Sequence, residues 1–161
     1  MAGENSPRGI IKNRAYAGQI CLFKGLRWGT ITPTDIDGFI DFGDKAFVFL
    51  EAKHRNEPLP RGQSLALERL CEAACSSGRA AVVLVASHND TGDIDMANAT
   101  VTTIYQAGRW KVPSAQRTVR ATVDAFMRYA GVHEAPHDET AAATTGRAAI
   151  SGPIRDDEIP T

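Results

Sequence analysis

Four charged side chains in the segment 34–53 (TDIDGFIDFGDKAFVFLEAK) have the types and spacing for metal-assisted chemistry on a phosphate. Asp35 and Asp37 alternate at strand spacing on one run, Glu51 and Lys53 do so on the next, and a glycine turn separates the runs. Carboxylates and an ammonium at the ends of apolar strands are costly to place without a partner. A divalent cation and a phosphate supply one. Mg²⁺ prefers oxygen ligands and is usually held by one or two carboxylates plus waters and substrate oxygens. Asp37 and Glu51 are the candidate ligands, with Asp35 as a further ligand or a group supporting them. Such a metal lowers the pKa of a bound water and polarises the phosphate. Lys53 shares a strand face with Glu51, where it can orient the nucleophile and offset charge building on the phosphorus oxygens. The competing reading is a surface ion-pair ladder, each cross-strand pair contributing ~0.2–1 kcal/mol. Three acids crowded around one lysine count against it.

The elements that position these groups follow from periodicity. Residues 47–50 and 80–86 are short apolar runs rich in β-formers and bounded by turn signals, which predicts buried strands. Side chains alternate along a strand. Ile36, Gly38, Ile40 and Phe42 therefore share one face, and Asp35, Asp37, Phe39 and Asp41 the other. A three-residue loop of Gly43, Asp44 and Lys45 pairs Phe42 with Ala46, which sets Asp37 opposite Glu51 and Asp35 opposite Lys53. A two-residue turn slips the register by one and sends the acidic groups to opposite faces. Residues 62–77 predict a helix ended by Gly78. Its apolar stripe is Leu67, Leu70, Cys71 and Ala74, and Gln63 lies one turn earlier on the same face. Gln63 either points at the sheet end carrying Glu51 and Lys53 or caps backbone groups at the helix start.

Asp37 in the Asp-Ile-Asp-Gly segment, then Glu51-Ala-Lys53 closing the next strand, then Gln63 opening a helix, resembles the PD-(D/E)xK nuclease superfamily with its restriction-endonuclease-like fold. The likeness spans roughly residues 14–130, and its specific part is 35–63. Two departures stand out. Pro33-Thr34-Asp35 replaces the expected Pro-Asp, so either Asp35 or Asp37 can be the primary acid, and the register favours Asp37. The first-helix position where a glutamate is often found holds Gln19. The resemblance implies a Mg²⁺-dependent DNA endonuclease of the kind used in repair, recombination or phage DNA processing, with Mn²⁺ substituting. It implies catalytic roles for Asp37, Glu51, Lys53 and Gln63, a contribution from the Ala52 carbonyl, 5′-phosphate and 3′-hydroxyl products, and a homodimer where both strands are cut. The alternative is a non-catalytic nucleic-acid- or partner-binding member of the same fold. RNA as substrate stays open.

Arg55 and Arg61 bracket the loop into that helix and are candidate phosphate contacts, although a solvated loop explains them equally. His88 follows the 80–86 strand and reaches the site end of the sheet if that strand runs parallel to the Glu51 strand. Residues 13–24 predict a first helix, 26–32 an extended segment, 101–107 a further strand, and 114–130 a last helix with Val119, Val123, Phe126 and Ala130 inward. Arg117, Arg120 and Arg128 then form an outer basic face, more simply a solvated one. Trp110 between Arg109 and Lys111 reads best as an aromatic covering the core. The order predicts an α/β fold, a mixed sheet flanked by helices on both faces.

Composition limits the rest. The chain has 161 residues with 18 basic and 19 acidic side chains, net −1. From residue 132 onward it turns to Ala, Thr, Gly, Pro and acids without periodicity, which predicts a disordered acidic tail, 132–161, after a domain at 1–131. That tail carries six acids against two arginines, leaving the body with 16 basic and 13 acidic residues. A body charge of that size is not by itself a nucleic-acid signature. Cys21, Cys71 and Cys75 show no metal-ligand spacing, and Cys71 and Cys75 read as small core residues. No signal-peptide pattern opens the sequence and no apolar run reaches spanning length, so the expected setting is a reducing cytoplasm without membrane contact.

Overall fold

The computed structural model describes residues 25–132, and the chain divides into two compact units, Met1–Pro33 and Thr34–Thr161. The expected first helix with Gln19 and Cys21, and the acidic tail beyond Val132, lie outside the described residues. In the first unit the expected extended segment 26–32 is instead a tight turn. Trp28 and Ile31 exchange both backbone hydrogen bonds, 3.0 and 3.1 Å. Gly29 at φ +64° supplies the left-handed backbone that lets the chain reverse there.

The second unit holds the strands and helices. They are β1 (Gly38–Asp41), β2 (Ala46–His54), α1 (Arg61–Ser76), β3 (Ala80–His88), β4 (Thr100–Gln106), β5 (Arg109–Lys111) and α2 (Val119–Tyr129). The sheet runs β1-β2-β3-β4-β5. Only β2 and β3 are parallel, joined through α1, and every other neighbouring pair is antiparallel. The expected α/β mixed sheet with a helix on each face is therefore present. β5, a three-residue strand, forms the edge beside β4, at the other end of the sheet from β1.

The two faces follow the period of two. Val48, Leu50, Val82, Leu84, Ala86 and Ile104 pack with Val119, Val123 and Phe126 of α2. Phe49, Ala81, Val83 and Tyr105 pack with Leu67 and Cys71 of α1. Central strands covered on both sides read as continuous apolar runs, which is why 80–86 shows no alternation. Each large side chain buried this way contributes about 1.5–3 kcal/mol. Two expected core residues lie outside it. Leu70 is exposed because the buried stripe of α1 centres on Gln63, Leu67 and Cys71 and leaves Leu70 at its rim, and Cys75 is exposed one turn after Cys71.

The hairpin has the three-residue loop. Phe42 N–H donates to the Ala46 carbonyl at 2.9 Å, and Gly38 pairs with Leu50. Gly43 (φ +63°) and Asp44 (φ +61°) are both left-handed, a conformation that glycine adopts freely and aspartate tolerates. Arg79 grips the Asp44 carboxylate with Nε and Nη2 at 2.5 and 2.6 Å, tying the turn to the start of β3. That guanidinium holds the Asp44 carboxyl below its usual value.

The last helix begins later than the pattern predicts, at Val119 rather than 114. Val101 N–H donates to the Arg117 carbonyl (2.8 Å) and Val119 N–H to the Ala99 carbonyl (2.9 Å), so the pairing of Thr118 with Thr100 keeps the chain extended up to Thr118. Arg117 consequently precedes the helix instead of lying on its outer face. Thr118 caps it, its hydroxyl accepting from Ala121 N–H at 3.2 Å. Thr118→Ala is expected to cost about 1 kcal/mol, read as a lower urea midpoint with an unchanged denaturant slope. No helix among the described residues is long and apolar enough to cross a membrane.

Candidate active site

β2 carries Glu51 and Lys53 on the face toward α1, and α1 opens with Gln63 pointing back at them. Lys53 Nζ donates to Glu51 Oε1 at 2.7 Å and to Gln63 Oε1 at 3.0 Å. Gln63 Nε2 donates to the same Glu51 Oε1 at 2.8 Å. The three side chains form a closed triangle, and α1 has no side-chain cap at its start. Gln63 thus serves the sheet rather than the helix end. Gln63 is also 3.4 Å from Asp35 Oδ1, which brings the exposed Asp35 to the margin of the cluster.

Glu51 is 2 % exposed, and both bonds fall on one of its oxygens. Its Oε2 is buried without a hydrogen-bond partner among the described residues. Burial pushes the Glu51 carboxyl above its ordinary value; the Lys53 hydrogen bond opposes the rise, and the Asp37 and Asp35 charges add to it. Asp37 lies one residue beyond the last paired residue of β1, so the hairpin register continued past Gly38 puts it opposite Glu51. Its Oδ2 accepts from Ala52 N–H at 2.7 Å, closing the ladder where the strand backbone turns away. Gly38 permits this approach, since a Cβ there would meet Leu50 Cδ1 at 3.1 Å.

Hard oxygen donors suit Mg²⁺ or Mn²⁺; the residues that would offer them here are Glu51, through its bare oxygen, and Asp37, opposite it in the continued hairpin register. Among the described residues no group of three or more His, Cys, Asp or Glu side chains is arranged to hold a metal. Any ion here therefore relies on two carboxylates, with water and substrate oxygens completing its shell.

The remaining candidates separate. Arg55 is exposed at φ +48°, followed by Asn56 at φ +62°. Non-glycine residues there are strained by roughly 1–2 kcal/mol. Bonds to β3 hold them, from Arg55 N–H to the His88 carbonyl and from Asn56 N–H to Ser87 Oγ, each 3.0 Å. Arg61 is the exposed first residue of α1. β3 is parallel to β2, so His88 does reach the same end of the sheet. Its register partner is His54, however, and the two rings meet edge-on at 5.4 Å on the face opposite Glu51. Trp110 covers the α1-side core, its ring 5.1 Å from Tyr105 and its Nε1 donating to Glu68 at 2.6 Å.

Two features had no clear mark in the sequence. Val85 is the register partner of Glu51, and a β-bulge follows it, with Thr102 Oγ1 donating to the Val85 carbonyl at 3.1 Å. A groove of about 800 Å³ begins at Val85 and runs past Thr102 and Thr103 to Trp110, with Arg61 and Ser64 of α1 in its wall. Threonine is an ordinary strand residue, so nothing in the pattern separated these from sheet packing. No family model, curated protein or solved structure matches the chain.

Proposed function

We propose that the protein is a Mg²⁺-dependent phosphodiesterase acting on DNA, with a restriction-endonuclease-like core and its active site at the carboxyl end of β2. The observation that carries the reading is the buried Glu51 carboxylate. One oxygen is fixed by Lys53 and Gln63 while the other is bare, and the Asp37 charge acts on the same carboxyl. A buried acceptor left without a partner costs about 1–3 kcal/mol, and a cation on Glu51 Oε2 and Asp37 would remove that cost. When bound, the ion supplies an acidified water and a polarised phosphate oxygen.

The chain's own residues do the rest. Gln63 holds Lys53 Nζ and Glu51 Oε1 in one arrangement, so the ammonium sits beside the carboxylate before substrate arrives. Lys53 keeps one face toward solvent, its side chain 16 % exposed, and from there faces charge building on a phosphate. Asp35, at the margin, supports Gln63 or adds an oxygen to the metal shell. The groove from Val85, the register partner of Glu51, to Trp110 offers a strand a place to lie, with Arg61 in its wall.

Incubating the protein with supercoiled plasmid, a four-way DNA junction and single-stranded RNA tests the reading. Cleavage of a DNA substrate with Mg²⁺ or Mn²⁺ and none with EDTA is expected, and Lys53→Ala should cut far more slowly. Absence of cleavage in every metal condition, or full activity in Lys53→Ala, would overturn it. Metal-independent DNA binding without cleavage would point to the non-catalytic relative, and cleavage confined to RNA would reassign the substrate.

A further inference from the structure

The sheet face away from Glu51 carries a pair of nitrogen donors that the carboxylate site does not use. β2 and β3 run parallel and in register, and their last paired residues are His54 and His88. The alternation that places Glu51 and Lys53 toward α1 turns His54 the other way, onto the face of Val48 and Leu50. The two rings lie edge-on, with centres 5.4 Å apart and planes at 66°. Both residues are half-buried. His88 Nδ1 is buried without a hydrogen-bond partner among the described residues. The backbone around the pair is fixed, since Arg55 N–H donates to the His88 carbonyl and Asn56 N–H to Ser87 Oγ, each at 3.0 Å. The strand register therefore sets the separation of the rings.

We infer that His54 and His88 form a binding site for a divalent transition metal, with Zn²⁺ as its cation, each ring giving one nitrogen and His88 giving Nδ1. Neutral imidazole is a common ligand of Zn²⁺, whereas Mg²⁺ takes oxygens, so ligand chemistry separates this site from the one at Glu51. The spacing fits. A ring nitrogen about 2.0–2.1 Å from Zn²⁺ puts the ring centre about 3.2 Å from the ion, and two rings at a tetrahedral angle are then about 5.3 Å apart. Bare aromatic contact allows about 4.5–7 Å, so the spacing admits both arrangements. The unpaired His88 nitrogen favours the cation. A buried polar atom without a partner is costly, and ring contact leaves that cost in place, while a cation takes up the lone pair.

Among the described residues no third His, Cys, Asp or Glu joins the pair in a metal-holding group. Closed structural Zn²⁺ sites usually have four protein ligands. Here two positions are left for water or for a donor from a bound ligand. An ion on both rings would join the carboxyl ends of β2 and β3. The chain leaves β2 there through Arg55 and Asn56, whose left-handed backbone is otherwise held by the two bonds to β3. The site is thus a clamp on that turn.

Calorimetric titration of the full chain with ZnCl₂ in excess Mg²⁺ tests the site. Mg²⁺ occupies oxygen-donor sites, so the result stands apart from the cleavage reading. His54→Gln and His88→Gln should each weaken Zn²⁺ binding about a hundredfold, the loss expected when a second, already positioned donor is removed. The other two histidines, His133 and His137, lie outside the described residues. The double variant His133→Gln/His137→Gln should keep the site, and so should Cys75→Ser. Zn²⁺ should raise the urea midpoint of the wild type and leave that of His54→Gln unchanged, because an ion that binds only the folded state stabilises it. Should either histidine variant unfold, the imidazole C–H resonances of the wild type give the same answer: those of His54 and His88 should shift together as Zn²⁺ is added. No Zn²⁺ binding by the wild type, His54→Gln and His88→Gln that bind as wild type, or resonance shifts confined to His133 and His137 would overturn the assignment.

Discussion

Glu51→Gln is expected to lower metal-dependent cleavage by about 10²–10³-fold or more while leaving the fold at least as stable at neutral pH. The two halves of this expectation have different causes. Activity falls because a neutral amide is a poor ligand for a hard cation and cannot balance Lys53. Stability holds because the protein environment disfavours the Glu51 charge: burial outweighs the Lys53 hydrogen bond, and the net effect is a raised carboxyl pKa. A raised folded-state value means that the native state holds its proton more tightly than the unfolded chain does. The stabilisation from Glu51 is therefore fully present below about the ordinary 4.5 and is lost as pH rises through the raised value. Glutamine has no such dependence, so the variant's advantage in urea unfolding should grow from acid to neutral pH. Plasmid cleavage at the wild-type rate would remove Glu51 from the reaction. A variant that is inactive but clearly less stable at neutral pH would show that the Lys53 pair, not burial, dominates the carboxylate's energy.

Lys53→Met is expected to destabilise the unit by about 3 kcal/mol at neutral pH, the low end for a broken buried pair because the ammonium keeps some contact with water. The substitution leaves the Glu51 carboxylate buried with one hydrogen bond, from Gln63, and with the Asp37 and Asp35 charges nearby. Losing Lys53 drives the Glu51 pKa further upward, since both the hydrogen bond and the charge that lowered it are gone. The loss of stability should accordingly shrink on acidification, as Glu51 takes up a proton. Combining Lys53→Met with Glu51→Gln removes the buried charge, and the double variant should regain most of the lost stability at neutral pH. Urea midpoints at acid and neutral pH for the two single variants and the double variant check this. A Lys53→Met loss that is the same at both pH values, or no rescue in the double variant, would mean that the lysine acts through its apolar stem alone.

Much of the candidate site is legible one residue at a time. Asp35 and Asp37 on one run and Glu51 and Lys53 on the next share a face because strand side chains alternate, and Gly43 and Asp44 accept the left-handed backbone that sets the register. The Gln63–Leu67–Cys71 stripe is readable from the helical repeat. The misplacements have a common origin. The last helix starts at Val119 because β4 pairs with the chain before it, which also removes Arg117 from the helix. His88 lies on the far face because the parallel register aligns it with His54 rather than with Lys53. Neither fact is contained in a local window, since each depends on a strand distant in sequence.

The amino-acid order alone specifies which side chains of a strand or helix share a face and where acids and a lysine gather, because backbone geometry imposes periods of two and 3.6 on any chain, whereas the choice between a two- and a three-residue hairpin loop is read from the structure. Which of those groups become partners is set when elements meet. Gln63 could cap a helix or reach a carboxylate, and only the docking of α1 against β2 turned it toward Glu51 and left one Glu51 oxygen bare. Burial and hydrogen-bond satisfaction belong to that docking, since they depend on the distance between segments rather than on the residues within either one.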